Sequence, residues 1–352
     1  MYECIYKNLL DNLNNGNKCV MLTYLHHNDN ISGFIENKIC LNENDINNKS
    51  IQLNDIVSEK INNALLNGKI ETVNLDENKT ILIEPFFPKP RLFVFGGGHI
   101  AKPLVEFASK VGFTITIIDD RPYFANSTRF PDAETVLCED FQKSFNNLIF
   151  KENDFVVIIT RGHRHDKLVL SNVLNHSLKY IGMIGSKRRV KGMIDELIEE
   201  GFSKDDLDKV NSPIGLDIGA ITPEEIAISI VAELITFKNK GNNSKKLSYP
   251  EFDKDLFLEI SKKPTIPRAV LTILDSKGSV PRKAGAKMVT YINGQSFGSI
   301  GGGCSEADIL TTARDIMRTN GFLIQNVDMT GEVAESIGMV CGGTMDVIIE
   351  VF

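Results

Sequence analysis

Phe93-Val94-Phe95-Gly96-Gly97-Gly98-His99-Ile100-Ala101 carries an apolar, strand-like run into a glycine turn and then into a helix-forming segment. Its form is strand, G-x-G-x-x-A, helix, in which the glycines let a diphosphate approach backbone N–H groups at a helix N-terminus. Gly96, Gly98 and His99 are therefore candidate ligand contacts. The next apolar run ends at Asp119-Asp120, just over twenty residues on. An acid there accepts from ribose hydroxyls and repels a 2′-phosphate, so Asp119 predicts a crevice that prefers an unphosphorylated ribose. The competing reading is that the glycines serve only tight strand–helix packing and the crevice is empty.

Outward from this turn, β and α segments alternate: strands at Arg91–Phe95, Thr114–Asp119, Glu134–Cys138, Asp154–Thr160 and Tyr180–Ile184, with a helix at Ile100–Val111. Short apolar strands separated by helices predict an α/β fold, a Rossmann-like doubly wound parallel sheet, over residues 89–240. Thr222-Pro223-Glu224-Glu225 combines an N-cap, a first-turn proline and a capping-box acid, and opens a closing helix. Residues 1–88 read as a small N-terminal α/β unit ending in Lys79–Pro85, and Lys238 to Ser248 reads as a solvated linker. Residues 249–352 read as a C-terminal glycine/cysteine-motif α/β domain: a strand at Arg268–Leu274, a hairpin turning at Asn293-Gly294, a helix near Ser305–Arg318, and strands at Phe322–Met329 and Thr344–Val351. Val20–Leu25 resembles Ala269–Leu274, and Thr80–Glu84 resembles Asp346–Glu350. The N-terminal unit is thus a candidate degenerate repeat, expected to lack the glycine triplet and everything between its outer strands, and to serve only as scaffold.

Two further segments fall at strand C-terminal ends, where open parallel sheets bind ligands. They are Thr160-Arg161-Gly162-His163-Arg164-His165-Asp166 and Ile184-Gly185-Ser186-Lys187-Arg188-Arg189. Arg161, Ser186 and Lys187 suit a phosphate. His163 and His165, on an irregular loop, suit hydrogen bonding to a ligand or capping of the Asp166 helix better than metal ligation. In the C-terminal domain Gly278–Met288 is a loop with Arg282, Lys283 and Lys287 leading into a strand, which suits a polyanion. Ser299-Ile300-Gly301-Gly302-Gly303-Cys304 sets glycines and a thiol at a helix start, where anions bind and a thiol pKa falls. Cys341-Gly342-Gly343 places a second thiol beside another glycine pair. Together these favour a site with soft sulfur ligands, Cys304 and Cys341 acting as catalytic and metal-binding residues.

Composition bounds the function. In 352 residues, 42% are hydrophobic and 24% charged, as in an ordinary folded soluble protein. A net charge of −7 gives no overall field for nucleic acid or anionic membrane. The cysteines, at 4, 19, 40, 138, 304 and 341, form no C-x-x-C pair, so reduced thiols are expected rather than a disulfide framework. With no secretory leader and no apolar run long enough for a membrane span, a cytoplasmic location is expected.

Read together, these motifs resemble the XdhC/CoxI family of xanthine dehydrogenase accessory proteins, which act in molybdenum cofactor maturation and insertion. The resemblance rests on Glu84–Pro90, Phe95–Ala101, Ile118–Arg121, Thr160–His163, Ile184–Lys187, Ser212–Gly219, Pro281-Arg282, Gly285–Met288, Gly298–Cys304 and Cys341–Gly343, and covers roughly residues 80 to 352. It implies binding of molybdenum cofactor, as molybdopterin or its dinucleotide. It further implies support for its sulfuration and delivery to a xanthine dehydrogenase-like molybdenum hydroxylase, with a cysteine desulfurase as sulfur donor. Such a protein is a cofactor-binding chaperone more than a turnover enzyme. The implied contacts are Gly96, Gly98, His99, Asp119, Arg161, His163, Ser186, Lys187, Arg282, Lys287, Gly301, Gly302, Gly303, Gly342 and Gly343. In the commoner family arrangement the glycine–cysteine domain precedes the Rossmann domain, whereas here it follows, which points to an interface with a second chain and a homo-oligomer. The alternative is an NAD-dependent oxidoreductase using the Rossmann domain, with NAD or another nucleotide in the crevice. It leaves Cys304 and Cys341 without a task. A pure scaffold, binding no small ligand, is the third reading.

Overall fold

The structure, a computed structural model, describes residues 2–48, 53–239, 247, 249–302, 304–319, 321–329 and 343–351. They form two compact units, one from 1–88 with 241–352 and the other from 89–240. Among the described residues no helix is long and apolar enough to cross a membrane.

The N-terminal half of the first unit runs α1 (Tyr2–Asn14), β1 (Cys19–His27), β2 (Ser32–Asn42), α2 (Glu43–Asn47), α3 (Asp55–Asn67), β3 (Glu71–Asn74) and β4 (Lys79–Phe86). Tyr6, Leu9, Leu10 and Leu13 recur at helical spacing and are buried, which makes α1 a core helix. The Asn54 side chain caps α3 by accepting from the Val57 N–H at 2.7 Å.

The second unit runs β5 (Arg91–Phe95), α4 (Ala101–Lys110), β6 (Thr114–Asp119), β7 (Thr135–Cys138), α5 (Phe141–Ser144), β8 (Phe155–Ile158), α6 (His163–Val173), β9 (Tyr180–Met183), α7 (Lys187–Glu199), α8 (Lys204–Leu207), β10 (Val210–Asn211) and α9 (Pro223–Lys238). Its six strands are parallel in the order β10-β9-β8-β5-β6-β7. This is the doubly wound order expected from the sequence, with the strand order reversing between β5 and β8. Alternate residues of each strand enter cores on opposite faces: Leu92 and Val94 pack with α4 and α9, Phe93 and Phe95 with α6 and α7. The predicted capping box holds, since Thr222 Oγ1 accepts from the Glu225 N–H while Glu225 accepts from the Thr222 N–H.

The C-terminal half of the first unit runs α10 (Lys254–Ile260), β11 (Arg268–Gly278), β12 (Lys287–Tyr291), β13 (Ser296–Gly298), α11 (Cys304–Ile316), β14 (Gly321–Asp328) and β15 (Gly343–Val351). Both halves join in one antiparallel nine-stranded sheet, ordered β13-β12-β11-β15-β14-β2-β1-β4-β3. The stretches 1–88 and 249–352, read from sequence as separate domains, therefore share a sheet.

That sheet corrects the reading of the repeat. Met21 faces Glu84 across β1 and β4 as Val270 faces Glu350 across β11 and β15. Thr23 faces Lys38 across β1 and β2 as Thr272 faces Lys287 across β11 and β12. The N-terminal copy thus keeps the inner strands and a helix between its outer strands. The sequence missed this because β2 and α3 share little with β12 and α11 beyond their positions.

The two copies exchange charges. Lys38 Nζ donates to Glu350 Oε1 at 2.7 Å and to Tyr6 Oη at 3.1 Å, while Lys287 Nζ donates to Glu84 Oε1 and to Thr272 Oγ1 at 2.8 Å. Each pair takes its lysine from one half and its glutamate from the other, and the four side chains are 0–3% exposed. Residues from both halves pack into one core that includes Met21, Phe86, Phe257, Val270 and Val289. Burial, the largest single influence, depresses the lysine pKa, but Glu350, Tyr6 and Glu84 together outweigh it and hold Lys38 above its ordinary value. Removing one member of such a pair leaves a buried charge unmatched. Lys38→Met should cost about 3–5 kcal/mol in urea denaturation, most of it recovered by adding Glu350→Leu. A single-variant loss below about 1 kcal/mol would contradict the role of the crossed pairs.

Candidate functional site

The second unit gathers its ligand-type residues at the C-terminal ends of β5, β8 and β9. Gly96 has φ +111°, and a Cβ there would lie 2.3 Å from the Ile159 carbonyl oxygen, so this glycine is required by strand packing. Gly98 differs. A Cβ there would meet nothing within 4 Å, so protein packing gives no reason for it to be glycine. Gly98 and His99 line a crevice of about 490 Å³ with Ala101, Arg121, Phe124 and Arg161.

Asp119 lies at the end of β6 as expected, but its carboxylate is committed. Oδ1 accepts from the Arg121 N–H at 3.0 Å and Nε at 2.8 Å, and Oδ2 from the Gly97 N–H at 2.7 Å and Arg121 Nη2 at 2.8 Å. A carboxylate offers about four lone-pair positions. All are filled, and the side chain is 1% exposed, so Asp119 clamps the glycine turn instead of waiting for a ribose. Desolvation raises its pKa, but these hydrogen bonds win and lower it below the ordinary carboxylate value. The Arg121 guanidinium lies 3.9 Å from the centre of the Phe124 ring, and Arg129 holds the Gly97 and Gly98 carbonyls at 3.1 Å. The selectivity against a 2′-phosphate predicted from Asp119 loses its physical basis.

A second cleft, about 730 Å³, opens beyond β8 and β9. Arg161, Gly162 and His163 line it from the start of α6, Gly185, Ser186 and Arg189 from the start of α7, and the Pro213–Ala220 loop closes the other side. Ser186 caps α7, accepting from the Arg189 N–H at 3.5 Å. Lys187 is the first residue of α7, and its side chain lies outside the described residues. The loop is held by the Gly215 N–H donating to Glu233 Oε2 at 2.9 Å and by Ser212 Oγ donating to the Met183 carbonyl at 2.8 Å.

Sequence reasoning passed over Asp166, one turn into α6. Its Oδ1 accepts from Thr160 Oγ1 at 2.5 Å and it is 8% exposed on the cleft wall. Burial raises its pKa above the ordinary carboxylate value, more than the Thr160 bond lowers it. The signal in the sequence is an acid three residues after a histidine on one helix face, a pattern that also reads as a helix start.

In the first unit the expected anion contacts are otherwise engaged. Lys287 is buried on Glu84 and Thr272, so it adds structure rather than ligand charge. Arg282 pairs with Glu251 on the surface. The glycine turn before α11 is filled from within: Glu306 Oε1 accepts from Ser299 Oγ at 2.6 Å and from the N–H groups of Ile300, Gly301 and Gly302 at 2.9, 3.1 and 2.7 Å. Gly301 and Gly302 therefore present those donors to the chain's own carboxylate, a partner the sequence reading missed although Glu306 stands two residues past Cys304. At Gly343 a Cβ would lie 2.5 Å from the Lys277 carbonyl oxygen, so strand packing accounts for that glycine. Gly303, Cys341 and Gly342, and the Cys304 side chain, lie outside the described residues. Among the described residues no group of three or more His, Cys, Asp or Glu could hold a metal.

The raised Asp166 pKa has a stability consequence. A carboxyl whose folded pKa is raised contributes fully below the unfolded value and loses that contribution as pH rises through the folded one. Asp166→Asn, uncharged throughout, should melt higher than wild type at pH 8, with a smaller gap at pH 4.5. A gap that shrinks as pH rises would contradict the burial argument.

Residues 92–234 match the XdhC Rossmann domain and residues 263–328 the XdhC and CoxI family. The chain is 32% identical over 167 residues to a probable xanthine dehydrogenase subunit of Bacillus subtilis (strain 168), covering 47% of this chain and 48% of that protein. It is 32% identical over 165 residues to YqeB of Escherichia coli (strain K12), covering 46% of this chain and 30% of that one. The chain thus spans about half the length, or less, of these curated relatives. A crystal structure of a xanthine dehydrogenase from Bacillus halodurans aligns with TM-score 0.40 at 24% identity, over 65% of this chain and 93% of that one. With its Rossmann segment and its glycine–cysteine segment each matched, the chain belongs to the XdhC and CoxI family.

Proposed function

We propose that this protein holds molybdenum cofactor in its second unit and delivers it to a xanthine dehydrogenase-type molybdenum hydroxylase, as a maturation chaperone rather than a turnover enzyme. Family membership supports the maturation role. The observation that carries the cofactor reading is the cleft beyond β8 and β9. Its roughly 730 Å³ falls within the usual range for small-molecule sites. Arg161, Arg189 and Ser186 offer the donors a phosphate needs, and Asp166 offers a largely desolvated carboxyl to the amino-bearing edge of a pterin. Gly98, with open space at its Cβ, leaves room for a ligand beside the glycine turn. When bound, the cofactor supplies the molybdenum centre whose oxo-for-sulfur exchange readies the hydroxylase. The protein's part is to hold the pterin and exclude water. Cys304 and Cys341 act at the sulfur or the metal, with a cysteine desulfurase as donor. The hydride-transfer alternative leaves Cys304 and Cys341 without a task, and Asp119 has no lone pair to spare for positioning a ribose.

Protein purified from a molybdate-fed, cofactor-competent host should release a pterin detectable by mass spectrometry, and Arg189→Ala should retain about tenfold less. Wild-type protein devoid of pterin would overturn the proposal. The Cys304→Ser, Cys341→Ser double variant should keep its pterin yet fail to activate an apo-hydroxylase, while Cys138→Ser behaves as wild type. Full activation by the double variant would remove the thiols from the mechanism.

A further inference from the structure

The crevice beside the glycine turn and the cleft beyond β8 and β9 share three lining residues, Thr160, Arg161 and Ile184. Arg161 is the cation at that junction, and its guanidinium is gripped by an acid. Nη1 donates to Asp120 Oδ1 at 2.5 Å and Nη2 to Oδ2 at 2.8 Å. Asp120 follows β6 and Arg161 follows β8, and β5 lies between those two strands. The ion pair therefore spans the C-terminal end of β5, where the glycine turn begins. Its side chains are 39% and 22% exposed, and pairs at that exposure add little to stability. A planar fork on a carboxylate is also the geometry that fits a phosphate.

We propose that Asp120 is a stand-in anion: a ligand with two ring-bearing ends joined by a diphosphate takes Arg161 from it. One end of that ligand lies in the crevice at Gly98 and Phe124, the other in the cleft at Ser186 and Asp166. The inference rests on the cofactor reading of this unit and deepens it, assigning the dinucleotide form over the pterin that carries a single phosphate. A ligand confined to one cavity can set a single phosphate against Arg161 from that side, whereas a bridging diphosphate sets both phosphates there and fills both cavities. The same chemistry belongs to a pterin dinucleotide and to a nicotinamide dinucleotide.

Calorimetry with NAD⁺ and AMP as probes, on wild type, Asp120→Asn and Arg161→Gln, tests the bridge. Neither variant should change the melting temperature appreciably, since the pair is partly open to solvent. Asp120→Asn should bind NAD⁺ about tenfold tighter than wild type and Arg161→Gln about tenfold weaker, with AMP changing less than about threefold. An unchanged NAD⁺ affinity in Asp120→Asn, an equal change for AMP, or no NAD⁺ binding by any form would overturn the proposal. Mass spectrometry of the molecules released from host-purified protein separates the sources. Nucleotide and pterin in equal amounts support the pterin dinucleotide. Nucleotide without pterin supports the bridge but overturns the maturation reading, and pterin without nucleotide overturns the bridge and leaves that reading standing.

Discussion

Four buried charges tie the first unit together. Lys38 answers Glu350 and Lys287 answers Glu84, each pair joining strands from opposite ends of the chain. An isolated ion buried in apolar surroundings is costly, so each half closes with its charges matched only when the other half is present. The stretch Lys89–Lys240, which stands between the two copies in sequence, forms a separate compact unit. The half that carries Cys304 and the Glu306-filled turn thus depends on an N-terminal copy with no glycine triplet of its own. That copy is a partner built into the chain.

In the second unit the corresponding constraint is strand order. With β5 flanked by β6 and β8, the glycine turn, Asp119-Asp120 and Thr160-Arg161 converge at one place. Two acids side by side there receive different tasks from their surroundings. Asp119, desolvated, holds the turn through Gly97 and Arg121, while Asp120, closer to solvent, holds Arg161. The clamp keeps the glycine turn rigid, and the exposed pair leaves an exchangeable cation where the two cavities meet.

What the sequence made legible follows from locality. The strand and glycine turn at Phe93–Ala101, the capping box at Thr222 and the hairpin at Asn293-Gly294 are set by neighbouring residues, and each lies where the pattern placed it. Arg161, His163 and Ser186 share a cleft because strand C-terminal ends are where open sheets bind ligands. Illegible were the partners chosen in three dimensions. Lys287 follows Arg282 and Lys283 in sequence and looks like a third surface cation, yet in β12 its side chain points into the core toward Glu84. Asp119 reads as a ribose acceptor until Arg121, two residues on, is seen folded back upon it. Glu306 reads as an ordinary first-turn acid until three N–H groups and a hydroxyl are found converging on one of its oxygens. Spacing finds the turn; it does not tell whether the chain fills it with its own carboxylate.

The proposed ligand site lies in the second unit, along the ends of β5, β8 and β9. Hydrogen–deuterium exchange on cofactor-loaded and stripped protein tests this without any substitution. Loading should slow exchange in segments 159–166, 184–190 and 213–220, which line the cleft. Slowing confined to 299–306, or no difference between the two forms, would contradict the account.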